Sequence, residues 1–280
     1  MKKALLVCWL FAAMNLVHGQ LLSDSILVDG HYRTFHFYPP GPTSKWSKVI
    51  FILHGSGGNG LQMITPATRL QRLSASENLL LIYPDGYKNY WNECRKMANS
   101  AANLEDINEE AFFRAMLLRV GEKFLADTTG FYAIGISGGG HMAYKLAITL
   151  PGACKGIAAI VANVPEPSNM DCAESNTAVP VLIINGTNDN VNPYHGGEMR
   201  VNGSSFGKVR STENSLNYWA TLAGYHGDPR IEVDRDSLPA NGQSITRHIY
   251  RAKGKPTVEL IEVIGGGHEF PKDIEAAAQK

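Results

Sequence analysis

Four polar segments of this 280-residue sequence sit directly after apolar runs. His54-Gly55-Ser56-Gly57-Gly58 follows Val49 to Leu53, and Ser137 follows Phe131 to Ile136. Asn185-Gly186-Thr187-Asn188-Asp189 follows Val179 to Ile184, and Gly265-Gly266-Gly267-His268 follows Val258 to Val263. A serine hydroxyl is a weak nucleophile until a neighbouring base takes its proton, and that base needs a carboxylate to orient it. Ser137, Asp189 and His268 supply those groups in turn. The chemistry they suggest is acyl transfer.

Ser137 lies in Gly135-Ile136-Ser137-Gly138-Gly139, which fits G-x-S-x-G, the strained strand-to-helix elbow of the α/β-hydrolases. Gly135 and Gly139 occupy the positions where a side chain would collide as the strand turns into its helix. The order serine, acid, histidine is also the one that fold requires. A Walker-type phosphate loop would need Gly-Lys-Ser/Thr at its end, and Gly140-His141-Met142 has neither lysine nor hydroxyl. A dinucleotide fingerprint belongs after the first strand of a βαβ unit, not mid-chain. Backbone N–H groups must await the oxyanion. We expect them from Gly138, directly after the nucleophile, and from Ser56 in the first glycine-rich segment, with Gly57 as the near alternative.

The remaining titratable residues are weighed against these. His54 precedes the oxyanion glycines and reads as a structural hydrogen-bonding residue. His141 follows the elbow and reads as packing, and His226 and His248 read as surface residues. His195, in Pro193-Tyr194-His195-Gly196-Gly197, is a candidate substrate contact. Asp85 reads as a turn residue and Asp106 as one near a helix start; both precede the serine.

These side chains must be positioned by the apolar runs. The runs above, with Leu79 to Tyr83 and Ile157 to Val161, read as strands buried on both faces. Glu105 to Phe124 and Ser211 to Leu222 have helical periodicity, and Arg210-Ser211-Thr212 offers a cap for the second. Alternating strands and helices imply an α/β domain with a mostly parallel sheet covered on both faces. Ser25 to Tyr38, turning at Asp29-Gly30, adds an N-terminal antiparallel hairpin. Ligands of such sheets sit beyond the carboxyl ends of the strands, where all four polar segments fall. No internal repeat or linker divides the chain.

Lys2 and Lys3 precede a short apolar stretch, Ala4 to Val17, and Val17-His18-Gly19 ends it with a small residue. This is the pattern of a secretion signal over residues 1–19, leaving a catalytic domain over 20–280 in a secreted or periplasmic protein. Zero formal charge gives no basic field for nucleic acid, and no later run is long enough to span a membrane. Neither CxxC nor HxxxH spacing is present, so no metal is expected. Of the four cysteines, Cys8 leaves with the signal. Cys154 and Cys172 bracket one expected strand, and a bond between them would stabilise by about 3 kcal/mol, leaving Cys94 unpaired.

The segments FILHGSGGNG, LLLIYPDGYKNYWNEC, FYAIGISGGGHMAYKLA, VPVLIINGTNDNVNPYHGG and VIGGGHEFP span most of the chain from Ile26 to Pro271. In their order and spacing the sequence resembles the secreted polyhydroxybutyrate depolymerase and feruloyl esterase group of α/β-hydrolases. The resemblance implies a serine carboxylic-ester hydrolase that needs no cofactor, with Ser137, Asp189 and His268 as its triad. It also implies Trp91 at the substrate cleft, or as a core tryptophan, and Phe270 as an aromatic wall where relatives carry tryptophan. It supports the Cys154–Cys172 pairing. One cysteine pair common in relatives is missing, around Gly224-Tyr225-His226 and Tyr250-Arg251-Ala252. The implied substrates are feruloyl or acetyl esters linked to plant oligosaccharide, or alternatively a polyhydroxyalkanoate polyester and its oligomers. A peptidase or a non-catalytic carbohydrate-binding relative would keep the same scaffold.

Overall fold

The computed structural model describes residues 20–39, 48–124, 126–201, 203–234 and 244–269; the expected signal at 1–19 and Phe270 lie outside them. The chain opens with the hairpin β1 (Leu22–Val28) and β2 (His31–Phe37). Asp29 and Gly30 both have positive φ at its turn, the pairing that suits a two-residue hairpin. β3 (Lys48–Leu53), α1 (Thr68–Glu77) and β4 (Leu79–Pro84) follow. Next come α2 (Ala101–Leu104), α3 (Glu109–Phe124), β5 (Phe131–Ile136), α4 (Gly138–Thr149), β6 (Cys154–Ile160) and β7 (Val181–Gly186). A separate hairpin, β8 (Gly197–Val201) and β9 (Ser204–Val209), leads to α5 (Thr212–Leu222). β10 (Arg230–Asp234), β11 (Ser244–Tyr250) and β12 (Val258–Ile264) complete the described strands.

Ten strands form one sheet in the order β1-β2-β4-β3-β5-β6-β7-β12-β11-β10. Its centre, from β4 to β12, is parallel, and both flanks are antiparallel. Side chains alternate across the sheet, and β3 is apolar on both faces for that reason. Val49, Phe51 and Leu53 join Phe112, Phe113 and Met142 in the larger core, while Ile50 and Ile52 pack with Met63 and Tyr83 opposite. This is the α/β-hydrolase arrangement expected from the sequence.

Three local features differ from the sequence expectation. β10 and β11 extend the sheet beyond β12, because Arg247 and His248 interrupt the apolar pattern until Glu259 and Glu262 of β12 pair with them. The helix expected from Glu105 breaks into α2 and α3. Asp106 takes a left-handed φ of 46°, and Asn108 caps α3 by accepting from the Ala111 N–H at 3.0 Å. α5 keeps its expected cap, with the Ser211 hydroxyl accepting from the Asn214 N–H.

The third difference corrects the disulfide. Cys94 bonds to Cys172 with Cα atoms 5.1 Å apart, and Cys154 is a buried free thiol. Cys154 begins β6, whose seven residues carry the chain roughly 20 Å before it turns toward Cys172. The segment before Cys172 runs beside Cys94: the Asp171 N–H donates to the Cys94 carbonyl at 2.9 Å, and Arg95 bridges Met170. Burial pushes the Cys154 thiol up to about 12, so it has little thiolate with which to react. The Cys94–Cys172 bond spans a sequence separation of 78. In the chain-entropy model a loop of that length contributes about 4.5 kcal/mol. Cys172→Ala should therefore lower the unfolding free energy by roughly 2–5 kcal/mol in urea titrations. Cys154→Ala should leave the disulfide intact by mass spectrometry.

Candidate active site

Ser137 occupies the turn between β5 and α4 with φ 54° and ψ −118°, a conformation that a non-glycine residue adopts only under constraint. Its N–H donates to the Ile160 carbonyl at 2.8 Å, and its carbonyl accepts from the His141 N–H at 3.0 Å. The two flanking glycines permit the turn. A methyl group on Gly135 would lie 2.0 Å from the Gly139 carbonyl oxygen, and one on Gly139 would lie 2.4 Å from the Leu53 carbonyl oxygen.

The Ser137 hydroxyl donates to His268 Nε2 at 2.9 Å, and His268 Nδ1 donates to Asp189 Oδ2 at 2.8 Å. The Asp189 side chain is fully buried, while that of His268 keeps 18 % of its surface exposed. Asp189 Oδ1 accepts from the Val191 and Asn192 N–H groups at 2.9 and 2.8 Å, which fixes the carboxylate plane. The two loops are laced together. The Asn188 N–H donates to the Gly266 carbonyl, and the Gly265 N–H donates to the Thr187 hydroxyl, both at 2.8 Å. The spacing in sequence is large, yet the three side chains form one hydrogen-bonded line.

Beside this line lie two N–H groups. Those of Ser56 and Gly138 donate to no other group among the described residues, whereas Gly57 N–H donates to Asn89 O and Gly58 N–H to Gly55 O. A methyl group on Gly138 would sit 2.9 Å from Ser56 N, so the two segments adjoin. His54 holds this loop in shape. Its Nδ1 donates to Gly55 O at 2.7 Å, and its Nε2 accepts from the Gly86 N–H at 2.9 Å. Both nitrogens are engaged.

Trp91 lies under the same loop, 3 % exposed, and its indole N–H donates to the His54 carbonyl at 2.9 Å. Its place is that of a core tryptophan supporting the loop, not a wall of the cleft. His195 is exposed and lines a cavity beside α5. His248 is on β11, hydrogen-bonded to Glu262. Asp85 is more than a turn residue, since its carboxylate accepts from Gly60 N–H at 2.7 Å and hydrogen-bonds His36. Sequence inspection missed Asn185. Fully buried near the end of β7, its amide donates to Asn163 Oδ1 at 2.8 Å and the Thr212 hydroxyl at 2.9 Å. A polar residue at the end of an apolar strand was the available signal.

Among the described residues, no group of three or more His, Cys, Asp or Glu side chains is placed to hold a metal ion. No helix among them is long and apolar enough to cross a membrane.

No protein-family model matches the chain. It is 26 % identical over 257 residues to "Putative esterase NocK" of Nocardia uniformis subsp. tsuyamanensis, covering 88 % of this chain and 73 % of that one. It is 23 % identical over 241 residues to feruloyl esterase B of Piromyces equi, covering 82 % of this chain but only 41 % of the fungal protein. The fold is similar to that of an acetyl xylan esterase from Aspergillus awamori. That likeness has a TM-score of 0.62 at 16 % identity, over 93 % of this chain and 98 % of the other.

Two histidines near the site are held below their ordinary value of 6.5, chiefly by burial. For His54 the hydrogen bond to Gly55 partly opposes burial. For His141 the charges of Arg95 and His268 add to it, and neither ring nitrogen has a protein partner. A base depressed in the folded state takes up a proton on unfolding, so its contribution is present above 6.5 and is lost as pH falls below it. Stability should therefore fall from pH 7 to 5, by up to about 1.4 kcal/mol per pH unit for each histidine. His141→Phe should remove about one proton's share of that slope in urea titrations across this range. An unchanged slope would mean His141 is not held neutral.

Proposed function

We propose that this chain, a carboxylic-ester hydrolase of the α/β-hydrolase fold similar to the feruloyl esterases, cleaves its ester through an acyl-enzyme on Ser137. The observation that carries the proposal is the Ser137–His268–Asp189 line, with links of 2.9 and 2.8 Å. His268 Nε2 takes the hydroxyl proton as Ser137 Oγ attacks the ester carbonyl carbon. The carbonyl oxygen becomes an oxyanion, and the N–H groups of Ser56 and Gly138 receive it. The tetrahedral intermediate collapses, the alkoxy group leaves with the proton from His268, and the acyl group stays on Oγ. Water then repeats the sequence: it gives a proton to His268, attacks the acyl carbon, and releases the acid and Ser137. Asp189 keeps the proton on Nδ1 and stabilises the imidazolium in both halves.

The substrate proposed is a feruloyl or acetyl ester carried on plant polysaccharide, on the strength of the Piromyces relative and the segments quoted above. Export is proposed as well. The leader pattern in residues 1–19 supports it, and so does the Cys94–Cys172 bond, because such bonds persist in oxidising compartments.

Ser137→Ala should lower kcat on methyl ferulate by about 10⁶, and Asp189→Asn by about 10⁴ through loss of the correct tautomer. Retention of near-native turnover by Ser137→Ala would refute the acyl-enzyme. A wild-type preference for hydroxybutyrate oligomers over methyl ferulate and para-nitrophenyl acetate would move the substrate to polyesters.

A further inference from the structure

A cavity of about 780 Å³ lies between α5 and the antiparallel flank formed by β11 and β12. α5 turns Glu213, Asn217 and Thr221 toward it, spaced four apart on one helical face. Tyr250, Leu260 and Glu262 make its floor, and His226, Asp228 and Ile231 its far wall. Tyr194 and His195, on the loop that follows Asp189, line it as well.

The floor is pre-formed. Glu262 is engaged on both oxygens, accepting from Tyr194 OH at 2.7 Å and hydrogen-bonded to His248 Nε2 at 3.0 Å. Tyr250 OH donates to Gly227 O, and Tyr225 OH accepts from the Ala252 N–H, each at 3.0 Å. The two rings stand 5.4 Å apart in a tilted pair. No lysine or arginine is among the described residues that line the cavity.

We infer that this cavity is a saccharide-binding site that takes a short neutral oligosaccharide. A sugar ring presents an apolar C–H face and a rim of hydroxyls that both donate and accept. Tyr194, Tyr225 and Ile231 offer it aromatic and aliphatic surface, and Asn217, Thr221 and His226 offer donors and acceptors, which matches both. Glu213 and Asp228 would repel an anion and accept hydroxyl protons instead. Both are exposed, where solvent weakens any field that could hold a cation. Tyr194 lies five residues after Asp189 and Glu262 six before His268, so the segments that carry these two residues also contribute to the cavity lining. The inference rests on the esterase proposal only for which glycan is the natural one.

The test uses Ser137→Ala protein, titrated calorimetrically with xylotetraose and cellotetraose at low and high salt. Saturable, salt-insensitive binding of one tetraose is expected. Thr221→Trp, which fills the cavity from an exposed helix position, and Asn217→Ala should each weaken it about tenfold or more. Melting curves check that both variants fold. Absence of binding by either tetraose, or equal binding by both variants, would overturn the inference. So would binding of spermidine alone with steep salt dependence, which would make the cavity a cation site. Because binding is read without Ser137, its failure leaves the acyl-enzyme proposal to its own turnover assay.

Discussion

The approach of Gly139 to the end of β3 is the constraint on which the site depends. A methyl group there would stand 2.4 Å from the Leu53 carbonyl oxygen and 2.6 Å from that of His54. No side chain fits such a gap, so α4 can start hard against the neighbouring strand only with glycine at this position. That contact brings the first turn of α4 beside the loop after β3. The N–H groups of Gly138 and Ser56 adjoin as a direct result, and Ser137 is forced into its strained turn above them.

Strain at one residue persists only where the surroundings over-determine it. Here the Ile160 carbonyl, the His141 N–H and the two glycine contacts do so. The second half of the site is secured differently, by lacing two loops. Asn188 and Gly265 tie the Asp189 loop to the His268 loop, and Asn185 anchors the first of them to Asn163 and Thr212. Rigid backbone on one side and a hydrogen-bonded pair of loops on the other hold Oγ, imidazole and carboxylate in line.

Three histidines, His54, His141 and His268, divide into three states by their hydrogen bonds. His54 has both nitrogens committed to backbone, so it has no lone pair to offer a substrate. His141 is sealed in the core with neither nitrogen bonded to protein, a cost that burial of a neutral ring keeps below that of a charged one. Of these three, His268 is the one that links a hydroxyl to a carboxylate, and it keeps part of its edge in solvent.

Much of this was legible in the sequence because the elements concerned are local. Buried parallel strands are unbroken apolar runs, the elbow is a pentapeptide, and each polar segment follows its strand directly. Chain order therefore picks out Ser137, Asp189 and His268, whose side chains hydrogen-bond in one line. What depended on pairing between distant segments was not legible. Arg247 and His248 look like loop residues until β12 supplies Glu259 and Glu262, and only then does β11 become a strand. Trp91 has the same identity in a cleft or in a core, and the fold put it beneath the His54 loop. The cysteines make the point most sharply. Nearness in sequence favoured Cys154 for Cys172, but a strand's length carries the chain away. The partner is Cys94, at a sequence separation of 78, because the segment before Cys172 hydrogen-bonds alongside it. A strand's own residues determine its burial, whereas a cross-link is determined by which segments the sheet brings side by side.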